Sequence, residues 1–124
     1  MPEFPIIDSH VHLYDIARLS YSWLQNVPQI NRSYGLADFD AARGPVDVET
    51  FVFAEVAVDP GLHLAEAEFV QELADADPRL GGSIAHAPLE KGVAVAADLD
   101  RLAALPSVRG IRRLIETECD PSFV

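Results

Sequence analysis

Thr50-Phe-Val-Phe-Ala-Glu-Val-Ala-Val58 is the stretch on which the fold turns. It is β-branched, aromatic or small and apolar at every position except Glu55. A strand apolar on both faces is one covered on both faces, which points to a parallel sheet. Asp59-Pro60 then reads as a helix start, with an Asp able to cap and a Pro at the first helical position. From about Gly61, Leu62, Phe69, Leu73 and Ala76 recur at spacings near 3.6 until Pro78 ends the helix. Leu80 to Ala87 supplies the next strand. From about Gly92 a second amphipathic helix sets Val95, Leu99, Leu102 and Ala103 on one face and stops at Pro106. Val108-Arg-Gly-Ile-Arg-Arg-Leu114 forms a further strand.

Working back from Thr50, a short helix runs from about Leu36 to Arg43 and is broken by Gly44-Pro45. Leu13 to Gly35 is rich in Tyr, Trp, Pro, Asn and Ser, has no clean period and reads as a long loop. Ile6 to His12 is the first strand. Right-handed crossovers put the four strands in sequence in one parallel sheet with the helices on its outer face. The expected fold is α/β, about the first four units of a (β/α)₈ barrel, in a single domain over residues 1–124. A complete barrel takes about 250 residues, so the expectation is its amino-terminal half, either a truncated product or a half completed by another copy or polypeptide, with truncation preferred. Such a half leaves sheet edges at the first and fourth strands and exposes the inner faces of Phe53 and its neighbours, so self-association is expected.

Composition narrows the function. The chain is 49% hydrophobic and 23% charged, the balance of a globular domain rather than a disordered one. A formal charge of −11 with a single lysine, Lys91, argues against a nucleic-acid partner, which is held by clustered Lys and Arg. The amino terminus has no basic and apolar leader pattern, and no segment approaches the roughly 18 apolar residues of a membrane span. A cytoplasmic protein is expected. The one cysteine, Cys119, cannot form an internal disulfide, which fits a reducing compartment.

The first strand carries the chemistry. In Ile6-Ile-Asp-Ser-His-Val-His12, strand alternation sends Asp8, His10 and His12 to one face. Two imidazoles on one face can grip one metal ion, and a site that keeps a position open for water becomes hydrolytic. The alternative is a pair of polar residues at a strand end with no ligand role.

Asp8-Ser-His10-Val-His12-Leu resembles the first-strand motif of the amidohydrolase superfamily. Tyr21-Ser-Trp23-Leu24, Val58-Asp59-Pro60, Ala87-Pro88-Leu89-Glu90 and Leu105 through Leu114 resemble one branch of it, the amidohydrolase-2 family of metal-dependent TIM-barrel hydrolases that includes sugar-acid lactonases. The resemblance implies a hydrolase that opens a sugar-acid lactone by activated water. It implies His10 and His12 as ligands of a divalent metal, zinc by preference, although some relatives need none. It also implies a general base on the eighth strand, beyond residue 124, so the catalytic base of this chain is unknown. Two alternatives from other classes stay open: another Asp-x-His-x-His barrel hydrolase, such as a TatD-type nuclease or a PHP-type phosphoesterase, and a non-catalytic half-barrel.

On the barrel the reacting groups sit at the carboxyl ends of the strands. Glu55, costly to bury alone, either joins the site or pairs with an arginine. His86 either lines the pocket or is a hydrogen-bonded core histidine. Arg112 and Arg113 point to opposite faces, so only one enters the barrel mouth, where its fork suits a carboxylate or a developing oxyanion; its rival role is to pair with Glu55. Tyr21 and Trp23 either wall a sugar ring or plug the barrel. These six are the candidate substrate-binding residues, and His63 reads as solvated surface.

Overall fold

The computed structural model describes residues 3–116 and 118–123. Four strands, β1 (Ile6–Val11), β2 (Val48–Ala54), β3 (Leu80–His86) and β4 (Val108–Arg112), alternate with helices α1 (Leu36–Arg43), α2 (His63–Ala76) and α3 (Ala96–Ala103). The sheet order is β1-β2-β3-β4 and every neighbouring pair is parallel. This is the expected α/β succession of β/α units. Crossovers long enough to contain a helix are what a parallel pairing demands.

Packing explains the order. Phe51 and Phe53 of β2 are fully buried in one core cluster with Phe69 and Val70 of α2 and with Leu13, Tyr14 and Leu24 from the first loop. Burying one such side chain stabilises the fold by about 2–3 kcal/mol. A second cluster joins Ala85 of β3 to Val95 and Leu102 beside and within α3. Phe53 therefore packs on the helix-covered side, not on the open inner face as expected; the half-buried Val52, one residue away, takes the other side of the strand.

Local geometry corrects several boundaries. β2 ends at Ala54, so Glu55 follows the strand instead of lying within it, and Ala57 turns the chain with a left-handed φ of 51°. α2 begins at His63, after Gly61 at φ 87°, and Asp59 does not cap it. The buried face of α2 carries His63, Glu66, Ala67, Phe69 and Val70, whereas Ala76 is exposed. Leu89–Val95 is a 3-10 segment kinked at Gly92, whose φ of 56° suits glycine, and α3 follows; its Ala103 is exposed. The first loop is less irregular than expected. It holds 3-10 turns at Ser22–Asn26 and Pro28–Ile30 and an antiparallel bridge between Tyr14 and Tyr34. Among the described residues no helix is long and apolar enough to cross a membrane.

Candidate functional site

The carboxyl ends of β1, β2 and β4 meet around a cavity of about 590 Å³ lined by His10, His12, Trp23, Glu55, Arg112 and the turn from Val56 to Pro60. His10 and His12 converge as the strand spacing requires: their Nε2 atoms are 3.1 Å apart and the rings meet edge to face. His12 Nδ1 donates to the Ala54 carbonyl at 2.8 Å. That bond sets the tautomer and leaves the His12 Nε2 lone pair facing His10. Burial of the ring, opposed by the Ala54 carbonyl and aided by His10 and Arg112, lowers the His12 pKa, so the ring is neutral near pH 7.

Asp8 does not join them. Three steps along β1 from Asp8 to Val11 match two along β2 from Phe51 to Phe53, and this irregularity breaks the alternation that would have aligned Asp8 with the histidines. Asp8 Oδ1 instead accepts the His10 backbone N–H at 3.1 Å. Among the described residues no group of three or more His, Cys, Asp or Glu is arranged to hold a metal. Two imidazole nitrogens 3.1 Å apart nevertheless fit a shared ion, since each would stand about 2.0–2.1 Å from zinc. The two imidazoles could thus supply two nitrogens of a set that would need further donors.

Glu55 and Arg112 settle the question the sequence leaves open between them. Arg112 Nε donates to Glu55 Oε1 at 2.7 Å and Nη2 to the Glu55 carbonyl at 2.8 Å, while the Ala57 N–H donates to Glu55 Oε2 at 2.7 Å. Glu55 is fully buried and Arg112 about a third exposed, so the pair holds one edge of the guanidinium and presents the rest to the cavity. Arg113 points away: it pairs with Glu90 and Glu118 and lies over the Phe123 ring. It lines an adjoining cavity of about 300 Å³ with His63, His86 and Glu90, and the two cavities share the wall of Glu55, Ala57, Val58, Pro60 and Leu114. His86 is half-buried there with its pKa lowered by desolvation, and its ring meets that of His63 edge to face at 5.9 Å.

Tyr21, His63 and Asp59 lie elsewhere than the sequence suggests, and Trp23 lies where it suggests. Tyr21 is buried in the core against Tyr14 and does not line the histidine cavity. Trp23 does line it, with its indole N–H donated to the Val56 carbonyl at 2.9 Å. His63 is buried, not solvated, and its Nε2 lies 2.9 Å from Asp98 Oδ2 of α3. Asp59 ties the first loop to the site by accepting from the hydroxyls of Ser20 and Ser22 and from the Ser22 N–H.

Sequence reasoning missed Glu66. It is 1% exposed on α2 and accepts the Val56 N–H at 3.2 Å. Desolvation, then the charge of Glu55, push its pKa up to about 7 against the opposing pull of that N–H and of Arg112. The signal was present, because Glu66 falls on the stripe Leu62, Glu66, Phe69, Leu73, where an acid has no business unless it is partnered.

The match to a known family is broad. The Amidohydrolase family profile matches residues 7–123. The chain is 28% identical over 129 aligned positions to the uncharacterized protein y4mH of Sinorhizobium fredii, covering 97% of this chain and 43% of that protein. It superposes on amidohydrolase 2 from Bifidobacterium longum subsp. infantis with a TM-score of 0.59 at 25% identity, covering 68% of this chain and 33% of the other. The chain spans less than half the length of either relative.

Proposed function

The chain belongs to the amidohydrolase family, and from that premise we propose that the His10–His12 cavity is the reacting end of a hydrolase that opens a sugar-acid lactone. The observation that carries the reading is the 3.1 Å approach of two Nε2 atoms, one of fixed tautomer, beside an arginine held by a buried carboxylate. His10 and His12 would hold a divalent metal, zinc suiting imidazole nitrogen. When bound, such an ion lowers the pKa of its water toward neutrality.

The chain's own residues supply the rest. The Ala54 carbonyl keeps the His12 lone pair aimed outward, and the lowered pKa keeps it unprotonated. Arg112, fixed by Glu55, offers its free edge to the lactone carbonyl oxygen as negative charge develops there. Trp23, anchored on the Val56 carbonyl, gives a flat apolar wall for a sugar ring, and His86 in the adjoining cavity is placed for its distal hydroxyls, with Arg113, held by Glu90 and Glu118, lining the same cavity. Tyr21 supports this wall from the core. Residues 1–124 are read as the first four β/α units of one barrel domain, with the general base supplied from outside them. The outer edges of β1 and β4 are where self-association is proposed to occur.

The full-length protein is to be assayed on a panel of aldonolactones before and after chelation. Turnover is expected on at least one lactone, lost on metal removal, restored by zinc, and about a hundredfold or more lower in His10→Ala. Lactone opening that persists unchanged in His10→Ala, or a panel with no substrate, contradicts the reading.

A further inference from the structure

The turn that follows β2 is held from two sides by groups that never reach the cavity surface together. The Val56 peptide gives its N–H to Glu66 Oε2 at 3.2 Å and receives the Trp23 indole N–H on its carbonyl at 2.9 Å. One residue before it, Glu55 anchors Arg112; one residue after it, the Ala57 N–H closes back on Glu55 Oε2 in a left-handed turn. An alanine in that conformation is held by its surroundings, not by its own preference. Glu66, on α2 behind the turn, is one of the groups that hold it.

We infer that Glu66 is a positioning residue for the cavity wall: from behind the sheet its carboxylate fixes the Val56 peptide, on which Trp23 hangs and beside which Glu55 sets Arg112. The charged and titratable groups that act on it are Glu55 at the end of β2, Arg112 at the end of β4 and Tyr21 in the first loop, whose buried hydroxyl feels Glu66 more than any other charge. His63, three residues earlier on the same helix, is turned to Asp98. A carboxylate accepts an N–H more strongly than a carboxylic acid does. The clamp therefore tightens as Glu66 loses its proton, and the pKa of about 7 puts that change near neutrality. For turnover the inference rests on the lactonase reading; for the geometry of the wall it does not.

Trp23 is the only tryptophan, so its fluorescence reports the clamp without any substrate. The measurement is the emission maximum of the full-length protein from about pH 8.5 to about pH 5.5, alongside far-ultraviolet circular dichroism, for the wild type, Glu66→Gln and Glu66→Ala. If the full-length protein contains further tryptophans, these are changed to phenylalanine first. The wild type is expected to shift to longer wavelength on acidification with a midpoint near neutrality and constant helicity. Glu66→Gln keeps an acceptor oxygen but cannot titrate, and is expected to lack that transition. Glu66→Ala is expected to emit at long wavelength throughout. A wild type without the transition, or a Glu66→Gln protein that retains it, overturns the inference, as does a folded Glu66→Ala that emits like the wild type at high pH. On a lactone substrate, loss of a pH limb in kcat for Glu66→Gln extends the inference to turnover; failure of every lactone while the fluorescence behaves as expected refutes the lactonase reading and leaves the positioning role standing.

Discussion

The two ends of the sheet handle charge in opposite ways. At the amino end, Arg79 before β3 is shared by Asp77 and by Asp40 of α1, and Asp40 also accepts from Arg43. These bonds drive the groups away from neutrality: the arginine pairs hold Asp40 and Asp77 well below the usual carboxylate range and raise Arg79. Asp40, Asp77 and Arg79 stay ionised at any moderate pH. At the carboxyl end the desolvated groups shift the other way, while Arg113 and Glu90 pair there as the amino-end groups do. Burial brings Glu66 up to about 7 and lowers His12 and His86, so these groups sit neutral or poised to exchange a proton. One end is a closed set of ion pairs that ties α1 to β3. The other leaves imidazole lone pairs and part of a guanidinium facing a cavity, which is where a barrel does its chemistry.

The largest effect is expected from Arg112→Ala. It leaves Glu55, fully buried, without its countercharge, and breaking a buried pair from one side costs about 3–5 kcal/mol. Denaturant unfolding measures this. A cost no larger than that of a surface pair would erase the distinction between the two ends.

Next comes the pH dependence set by Glu66. Its folded pKa, about 7, lies above the ordinary 4.5. The folded state therefore binds a proton the unfolded state has released, and stability falls as pH rises from about 4.5 to about 7, by roughly 3 kcal/mol, then stays at the lower level. Unfolding curves across that range are expected to flatten in Glu66→Gln. The ionised carboxylate grips Val56 more firmly while costing the fold overall, which is how a group placed for a site and not for stability behaves.

The smallest effect is expected at the amino end. Arg79→Ala removes bonds between partly exposed groups, so the loss should be modest, weaker still at high salt, and without effect on turnover. A clear drop in turnover in Arg79→Ala would break the comparison.

Most of the frame was legible in the sequence. The two-sided apolar run of β2 fixed a parallel sheet, and Leu36–Arg43 emerged as α1 between the bounds that Gly35 and Gly44-Pro45 suggest. The convergence of His10 and His12 followed from strand spacing. What escaped was set by partners distant in sequence. Val56 to Val58 are as apolar as the strand before them, and a left-handed Ala57 has no compositional mark. His63 read as solvated surface because its partner Asp98 is on another element. Tyr21 and Trp23, two residues apart, parted company: the core took the first and the cavity the second. Asp8 fell out of line through an irregularity in pairing that only the neighbouring strand reveals.

The most direct test of the central claim, that the carboxyl-end histidines form a ligand pair, is a zinc titration of the full-length protein followed by nitrogen NMR of the imidazoles. The Nε2 resonances of His10 and His12 are expected to move together and saturate together, with the His12 Nδ1 proton retained on its bond to Ala54 and the His63 signals unmoved. Zinc that leaves the His10 and His12 resonances in place, or that shifts His63 and His86 instead, would contradict the account.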